Sequence, residues 1–162
     1  SEGVNIGKNC ILGQNVFVGK NVTVGNNVKI QNNVSIFEGV TIEDDVFCGP
    51  SVVFTNVKIP RAFINNKKNF LKTFIRKGAS LGGNSTIICG NDIGSYSFVG
   101  ASSLVTKNIK PYALVVGQPI KQIGWISEYG YKLNLPLTGD GVSECNISKD
   151  KYTLRNGYVI KN

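Results

Sequence analysis

"VNIGKNCILGQNVFVGKNVTVGNNVKIQNNVSI", residues 4–36, repeats a pattern of apolar residues every six positions, and the pattern continues to residue 54. The first apolar position of each six-residue unit, position i, is occupied by Val4, Cys10, Val16, Val22, Val28, Val34, Val40, Val46 and Val52. Position i+2 is occupied by Ile6, Leu12, Val18, Val24, Ile30, Ile36, Ile42, Cys48 and Phe54. Alternating apolar places filled mostly by β-branched residues are typical of short strands.

Asn and Gly recur at fixed places between these strands. Asn precedes position i at 9, 15, 21, 27 and 33, and Gly occupies position i+3 at 7, 13, 19, 25 and 49. Both residues tolerate the left-handed backbone conformation that tight corners need. A strand and a corner every six residues indicate a hexapeptide β-helix. With three units per triangular coil, we expect Val18, Ile36 and Phe54 to form one interior column.

The repeat is interrupted after Phe54. It resumes with position i at Ala79, Ser85, Asn91, Ser97 and Ser103, and position i+2 at Leu81, Ile87, Ile93, Val99 and Val105. These units predict an all-β fold, a parallel β-helix of about five coils over residues 1–110. The interruption predicts a long loop over residues 56–78, and loops of that length are often functional. A tolerated insertion is the alternative.

Residues 111–162 are predicted to form a C-terminal extension of different character. Pro111 and Pro119 prevent a regular strand or helix from running through them. We expect a short helix from about Ile120 to Tyr131. Asn156-Gly157 lies between alternating apolar residues, which predicts a hairpin.

Composition restricts the classes of function. The formal net charge is +8, but no block of basic residues or nucleic-acid-binding motif is present, so we expect no nucleic-acid partner. No apolar run reaches the length of a membrane span, so we expect no membrane partner. Four cysteines without metal-ligand spacing predict free thiols, no metal site and a reducing compartment, the cytoplasm.

The chain contains no histidine. This removes the most common general base and the most common metal ligand from any proposed site. A γ-class carbonic anhydrase, which holds zinc with three histidines on the same kind of solenoid, is therefore excluded. Acetyltransferases that deprotonate a hydroxyl or a thiol with histidine are disfavoured for the same reason.

Four stretches resemble the left-handed β-helix N-acetyltransferases of nucleotide-linked 3-amino sugars. They are "GQNVFVGKNVTVGNNVKIQNNVSI", "GVTIEDDVFCGPSVVFTNVKIPRA", "RKGASLGGNSTIICG" and "YALVVGQPIKQIGWISEYG". In particular they are similar to enzymes that acetylate UDP-2-acetamido-3-amino-2,3-dideoxy-glucuronate. Those enzymes act in the synthesis of O-antigen, the surface polysaccharide of lipopolysaccharide. The resemblance implies a left-handed solenoid, a homotrimer with sites between subunits, and acetyl-CoA as acetyl donor.

The chain departs from that family in three places. Gln118-Pro119-Ile120 replaces the usual Asn-Pro-Ala, and the tail after Leu135 is only loosely similar. The first coils usual in the family are absent ahead of Ser1. Because the chain also lacks methionine, we expect it to be a processed product or a fragment.

The resemblance also implies site residues. Asn56 of "FTN" is expected to orient the sugar amine, which needs no strong base because a neutral amine is already nucleophilic. Glu38, on the same column as Asn56, is assigned to the substrate. Arg61 and Lys77 are assigned to the diphosphate or to a sugar carboxylate.

The cofactor residues implied by the resemblance lie further along the chain. Backbone N–H groups near Gly100 and Ala101 are expected to line the channel for the thioester arm of acetyl-CoA. Lys121 and Lys107, with Lys110 as a further candidate, are expected to meet the CoA phosphates. Ordinary corner glycines and solvated surface lysines are the alternatives for these positions.

Two further interpretations remain open from the sequence. The substrate is in one case a dTDP-linked 3-amino-6-deoxy sugar, which lacks the glucuronate carboxylate. In the other case the chain is a non-catalytic solenoid whose loop binds a partner protein.

Overall fold

The computed structural model describes residues 1–66 and 68–162; Lys67, within the predicted loop, lies outside the described residues. The described residues form strands, turns and bends without an α-helix. The first coil contains β1 (Asn5–Ile6), β2 (Ile11–Leu12) and β3 (Phe17–Val18); the second contains β4 (Thr23–Val24), β5 (Lys29–Ile30) and β6 (Ser35–Ile36). The third contains β7 (Val40–Ile42), β8 (Phe47–Cys48) and β9 (Val53–Phe54).

Three further coils follow the insertion after β9. They contain β10 (Thr73–Ile75), β11 (Ser80–Leu81) and β12 (Thr86–Ile87), then β13 (Phe98–Val99) and β14 (Leu104–Val105), then β15 (Ala113–Val116). The C-terminal extension contains β16 (Lys121–Ile126), β17 (Lys132–Leu133), β18 (Gly141–Glu144), β19 (Lys151–Arg155) and β20 (Tyr158–Lys161).

The strands stack into the three faces of a prism. Face A is formed by β1, β4, β7 and β10; face B by β2, β5, β8, β11, β13 and β15; face C by β3, β6, β9, β12 and β14. Neighbouring strands are parallel, and outside the insertion Phe17 pairs with Ser35 and Lys29 with Phe47, each 18 residues apart. This register confirms the triangular coil, and the solenoid is the left-handed β-helix that the resemblance implies.

The interior columns form the core. Val34 and Val52 are buried, and Val16 packs against them from the partly exposed first coil. On face C, Val18 pairs with Ile36 and Phe54 pairs with Ile87, so these residues lie in the predicted interior column. Burial of such apolar area stabilises the fold by roughly 25 cal/mol per Å².

The corners owe their shape to Asn in the left-handed conformation. Asn9, Asn15, Asn27 and Asn33 all have φ between 56° and 63°. Their side chains also hydrogen-bond between coils, since Asn15 Nδ2 donates to Asn33 Oδ1 over 3.1 Å. Positive φ and the inter-coil hydrogen bonds together explain why Asn recurs at this position.

The number of coils and the end of the loop differ from the sequence-based expectation. The solenoid has nearly six coils rather than five. Leu81 pairs with Val99, 18 residues on, whereas Val99 pairs with Val115, 16 residues on. The last coil is two residues shorter, which removes it from the six-residue pattern. The loop ends at 72 rather than 78, because Thr73 already pairs with Val40 in face A.

The predicted helix over residues 120–131 is wrong. Lys121–Ile126 is instead strand β16, which pairs antiparallel with β15 and then with β17. Strand β15 ends face B and leaves an edge that β16 extends. Gly124 lowers helix propensity in this segment, and the close approach of Lys132 leaves little space for a side chain there.

The predicted C-terminal hairpin is confirmed. Strands β19 and β20 pair antiparallel around Asn156-Gly157, and β18 adds a third strand. The sheet packs on the last coil, where the rings of Tyr112 and Tyr152 lie 5.6 Å apart and Lys110 Nζ donates to the Gly157 carbonyl over 2.7 Å. Within the described residues, no helix is long and apolar enough to cross a membrane.

Candidate functional site

The insertion between β9 and β10 is held at its base by backbone hydrogen bonds. The N–H of Leu71 donates to the Asn56 carbonyl over 2.9 Å, and the N–H of Thr73 donates to the Gly39 carbonyl over 2.9 Å. Gly39 has a φ of 101°, and an added Cβ there would lie 2.9 Å from the Leu71 carbonyl oxygen. Glycine is therefore required where the insertion rejoins the solenoid.

Asn56 lies at the corner where face C meets face A. Its Nδ2 donates to the Glu38 carbonyl over 3.3 Å. Because a carbonyl oxygen only accepts, this bond fixes which side of the amide faces Glu38. Oδ1 accepts no hydrogen bond from the residues that the structure describes, so it is available to a ligand that donates one.

Asn56 borders an apolar groove of about 410 Å³ on the face C side. The groove, called here the face C groove, is lined by Phe37, Val53, Phe54, Thr55, Asn56, Val57 and Pro60. The amide of Asn56 is thus a polar group at the end of an apolar surface. Such a combination of apolar walls and a few placed polar groups is typical of small-molecule sites.

A second groove, of about 400 Å³, lies on the other side of the same corner. This face A groove is lined by Asn21, Glu38, Gly39, Val40, Thr41, Lys68, Phe70, Lys72 and Phe74. Phe74 pairs with Thr41, and Thr41 pairs with Thr23 in the coil below. Because threonine is much smaller than phenylalanine, the ring overhangs a recess along face A.

The recess continues toward Lys77 as a cavity of about 330 Å³ that shares Thr41 with the face A groove. Glu38 thus lines the face A groove, and Lys77 lines the neighbouring cavity. Lys77 Nζ lies 3.9 Å from Asp45 Oδ2. Beside it, Arg76 donates hydrogen bonds to Glu43 and Asp92, and these bonds raise the pKa of Arg76. The Arg76 guanidinium lies 4.5 Å from the centre of the Phe74 ring.

Arg61 is not brought to these grooves. It lies exposed on the outgoing arm of the insertion, and its guanidinium donates to the Pro60 carbonyl over 3.2 Å. Within the part of the chain that the structure describes, it forms no ion pair with a carboxylate. Its assignment to substrate stays a prediction.

Asn56 belongs to a column of residues along one corner of the prism. The pairings of β12 with β9 and with β14 place Cys89 above Asn56 and Lys107 above Cys89. Coil spacing of about 4.8 Å puts Lys107 about 10 Å from Asn56 along this corner. The column continues down to Glu38 and Lys20, as predicted. Lys20 Nζ forms an ion pair with Glu2 Oε2 over 2.9 Å.

Gly100 and Ala101 lie on a different corner, between faces B and C. The N–H of Gly100 donates to the Val115 carbonyl over 2.8 Å, so it is used within the solenoid. Ala101 is exposed, and its N–H has no acceptor among the described residues. Only the Ala101 N–H is therefore available for the predicted thioester channel. Within one chain, Ala101 and Asn56 therefore lie on different corners of the prism.

We expect Gly100→Ala to destabilise the protein. An added Cβ would lie 2.7 Å from Val116 Cγ1, closer than side-chain atoms normally approach. The free energy of unfolding should fall by about 1–3 kcal/mol, as is usual for overpacking. Chemical denaturation checks this, with Ala101→Ser at the exposed neighbour as control. An unchanged stability would mean that Gly100 is not required by packing.

The predicted CoA lysines lie at the C-terminal end of the solenoid. Lys107 and Lys110 line a groove of about 210 Å³ together with Ile120 and Gln122. Lys121 is exposed on β16 between those last two residues, and it pairs with Val116. The three lysines are therefore grouped around one groove, on the same end of the prism.

Cys48 and Cys145 are buried thiols that do not line any of the grooves described above. All four cysteines are free. Burial raises the pKa of Cys48 to about 12. Hydrogen bonds from Ser127 and Ser148 lower the pKa of Cys145 to about 7, but Cys145 is buried in the C-terminal extension, away from the residues that line the grooves. Within the described residues, no cluster of three potential ligands could hold a metal ion.

Sequence reasoning missed the residues of the returning arm. Lys68, Phe70, Lys72 and Phe74 all line the face A groove. Their alternation in "KNFLKTF", residues 68–74, of basic and aromatic residues was the available signal. It was hidden because that stretch was assigned to the loop as a whole.

Comparison with known proteins finds relatives that share part of the sequence and the fold. Residues 1–70 match the family model for the GMPPB C-terminal domain. A relative from Aneurinibacillus thermoaerophilus, dTDP-3-amino-3,6-dideoxy-alpha-D-galactopyranose 3-N-acetyltransferase, is 40% identical over 92 residues, which are 57% of this chain and 46% of the relative. The chain thus spans less than half the length of this relative.

Two solved structures share the fold. A hexapeptide-repeat acetyltransferase of Vibrio cholerae in complex with acetyl-CoA is 25% identical, with a TM-score of 0.66, over 76% of this chain and 71% of that one. A galactoside acetyltransferase in complex with CoA is 27% identical, with a TM-score of 0.67, over 78% of this chain and 66% of that one. The chain is therefore a β-solenoid of hexapeptide repeats, similar in sequence and fold to acetyltransferases built on the same repeat.

Proposed function

We propose that this chain transfers an acetyl group from acetyl-CoA to the 3-amino group of a nucleotide-linked deoxy amino sugar. The observation that carries the proposal is the position of Asn56. Its Nδ2 donates to the Glu38 carbonyl, its Oδ1 accepts no hydrogen bond from the described residues, and the residue lines the face C groove at the corner shared with face A. An amine N–H is a suitable donor for that oxygen.

The reaction needs no imidazole, which suits a chain without histidine. The amine lone pair attacks the thioester carbonyl carbon, the C–S bond breaks, and the CoA sulfur leaves with the proton that the amine loses. The residues then need only to orient the amine and to donate to the developing oxyanion. Ala101, whose N–H has no acceptor among the described residues, is the donor that we assign to the oxyanion.

The face C groove is the proposed place for the acetyl end of acetyl-CoA. Its walls of Phe37, Val53, Val57 and Pro60 are apolar, as an acetyl-bearing pantetheine arm requires. Lys107 stands on the same corner, and with Lys110 and Lys121 it supplies positive charge for the CoA phosphates.

Asn56 and Ala101 lie on different corners of the prism, so one chain alone cannot supply both to one substrate. We therefore propose a homotrimer in which the corner of Asn56 on one copy faces the corner of Ala101 on the next. The four free thiols fit a reducing compartment, and we assign the protein to the cytoplasm.

The relative from Aneurinibacillus favours a dTDP-linked 3-amino-6-deoxy sugar over the UDP-linked glucuronate. The glucuronate remains the second candidate, because Arg61 has no carboxylate partner among the described residues. In either case the product would enter the synthesis of a surface polysaccharide such as an O-antigen.

The test is thiol release from acetyl-CoA in the presence of each amino sugar. We expect CoA to form in proportion to dTDP-3-amino-3,6-dideoxy-galactose, with one acetyl group added to the sugar by mass spectrometry. The corresponding 3-hydroxy sugar nucleotide is the control and should release none. If no 3-amino sugar nucleotide increases thiol release, the proposal is wrong and a non-catalytic solenoid is favoured.

A further inference from the structure

We propose that the face A groove binds the nucleoside diphosphate half of the sugar nucleotide. Lys68 and Lys72 contact the diphosphate, and Phe70 contacts the base. This inference deepens the proposed function and rests on it for the identity of the sugar. None of these three residues follows from the family resemblance of the sequence.

The insertion side of the face A groove carries two lysine ammonium groups. Lys68 and Lys72 are exposed on the returning arm, four residues apart, and both line the groove. Neither ammonium group forms an ion pair with a carboxylate in the described part of the chain. Two free ammonium groups beside one cavity are suited to an anion with two phosphates.

The aromatic side chains provide flat surfaces next to these charges. Phe70 and Phe74 are half-buried, and the Arg76 guanidinium lies over the Phe74 ring, 4.5 Å from its centre, so Phe70 is the ring assigned to stacking and Phe74 packs beside it. A base can stack on such a ring, and stacking accepts any base because every base has a π-face. The groove therefore selects nucleotides as a class rather than one base.

A carboxylate lies at the end of the groove nearest Asn56. Glu38 lines the groove, and Asn21 Nδ2 donates to Glu38 Oε1 over 2.9 Å, which holds the carboxylate in place. A carboxylate repels a simple phosphate but accepts hydrogen bonds from hydroxyl groups. The arrangement therefore suits a molecule that carries sugar hydroxyls beside its phosphates.

The position of the groove fits the proposed reaction. The Asn56 side chain donates a hydrogen bond to the Glu38 carbonyl. The N–H of Leu71, which lies between Phe70 and Lys72, donates to the Asn56 carbonyl over 2.9 Å. When the diphosphate of a sugar nucleotide binds on face A, its sugar can therefore lie at the corner of Asn56. The thioester then approaches from face C, so the two substrates do not compete for one groove.

Titration with dTDP alone, by calorimetry and without acetyl-CoA, tests the inference. Lys68→Gln/Lys72→Gln should weaken dTDP binding by about tenfold for each lysine, as expected for hydrogen bonds to a charged group. Phe70→Leu, which keeps bulk but removes the ring, should weaken it by about fivefold or more. Lys58→Gln, an exposed lysine on the outgoing arm, is the matched control and should bind as the unaltered chain does.

CoA also contains a nucleoside diphosphate group. A second titration, with CoA, therefore shows whether the groove binds the sugar nucleotide or CoA. CoA affinity should be unchanged in Lys68→Gln/Lys72→Gln. If CoA binding falls in that variant while dTDP binding does not, the groove belongs to CoA and the inference is overturned.

The outcomes separate this inference from the proposed function. If a 3-amino sugar nucleotide is acetylated but dTDP affinity is the same in all variants, the inference is wrong and the function stands. If dTDP binds through Lys68 and Lys72 but no amine is acetylated, the inference stands and the function is wrong. Because both lysines are exposed, their replacement should leave the thermal midpoint within a few degrees.

Discussion

Asn56→Ala is expected to lower kcat/KM for the 3-amino sugar nucleotide by about a hundredfold, as misplacement of a reacting group commonly does. The substitution removes the Oδ1 acceptor that orients the amine and the Nδ2 donor that fixes the amide against Glu38. Most of the loss should be in kcat, because the proposed function places Asn56 against the reacting nitrogen and not against the nucleotide. Steady-state thiol release at varied sugar nucleotide checks both parameters.

Asn134→Ala is the matched control for this substitution. Asn134 is an exposed asparagine in the C-terminal extension. Its backbone N–H donates to Ser143 Oγ over 3.1 Å, and its side chain makes no hydrogen bond with the described residues. We expect its kcat/KM to equal that of the unaltered chain. An Asn56→Ala variant with activity within about threefold of the control would exclude an orienting role.

Phe54→Ala is expected to lower the free energy of unfolding by about 3–5 kcal/mol, the usual cost of truncating a buried phenylalanine. Phe54 is 1% exposed, and its ring fills the interior column between Ile36 and Ile87. The substitution would leave a cavity beneath the insertion, in the coil that supports Asn56. Urea denaturation followed by circular dichroism checks the expectation.

Val53→Ala, one residue earlier on the same strand, is the control. Val53 faces outward and is 46% exposed, so its truncation should change stability by no more than about 0.5 kcal/mol. Equal losses at both positions would contradict the alternation of inward and outward side chains on which the coil depends.

The solenoid could be predicted from the sequence because its signal is local and repeated. Every third unit returns to the same face, so Val16, Val34 and Val52 occupy equivalent interior positions in three successive coils. The apolar pattern that marks this position is therefore repeated three times. The final coil was missed because it is two residues shorter. Strand β10 was missed because Thr73 replaces an apolar residue at position i, although Thr73 is buried like Val40, with which it pairs.

The predicted helix failed for a different physical reason. The segment around Ile123 and Trp125 has no local pattern that distinguishes a strand from a short helix. Its conformation is decided by the free edge of β15, a partner that lies in the tertiary structure. The intrinsic helix or strand propensity of the segment contains no information about such an edge.

The site was only partly accessible to sequence reasoning. Asn56 and Glu38 could be placed on one column because they are 18 residues apart, and the structure joins them by a hydrogen bond. Lys68 and Phe70 could not be placed, because the insertion has no repeat to give its register. All of the site assignments stay predictions, and Arg61 and Lys121 line neither groove beside Asn56.

A crystal structure of the chain with CoA and dTDP-3-amino-3,6-dideoxy-galactose is the most direct test of acetyl transfer to an amine held by Asn56. We expect the sugar amine at about 2.6–3.2 Å from Asn56 Oδ1, with the CoA sulfur beside it at the edge of face C. A complex in which the amine and the sulfur meet away from Asn56 would contradict the account.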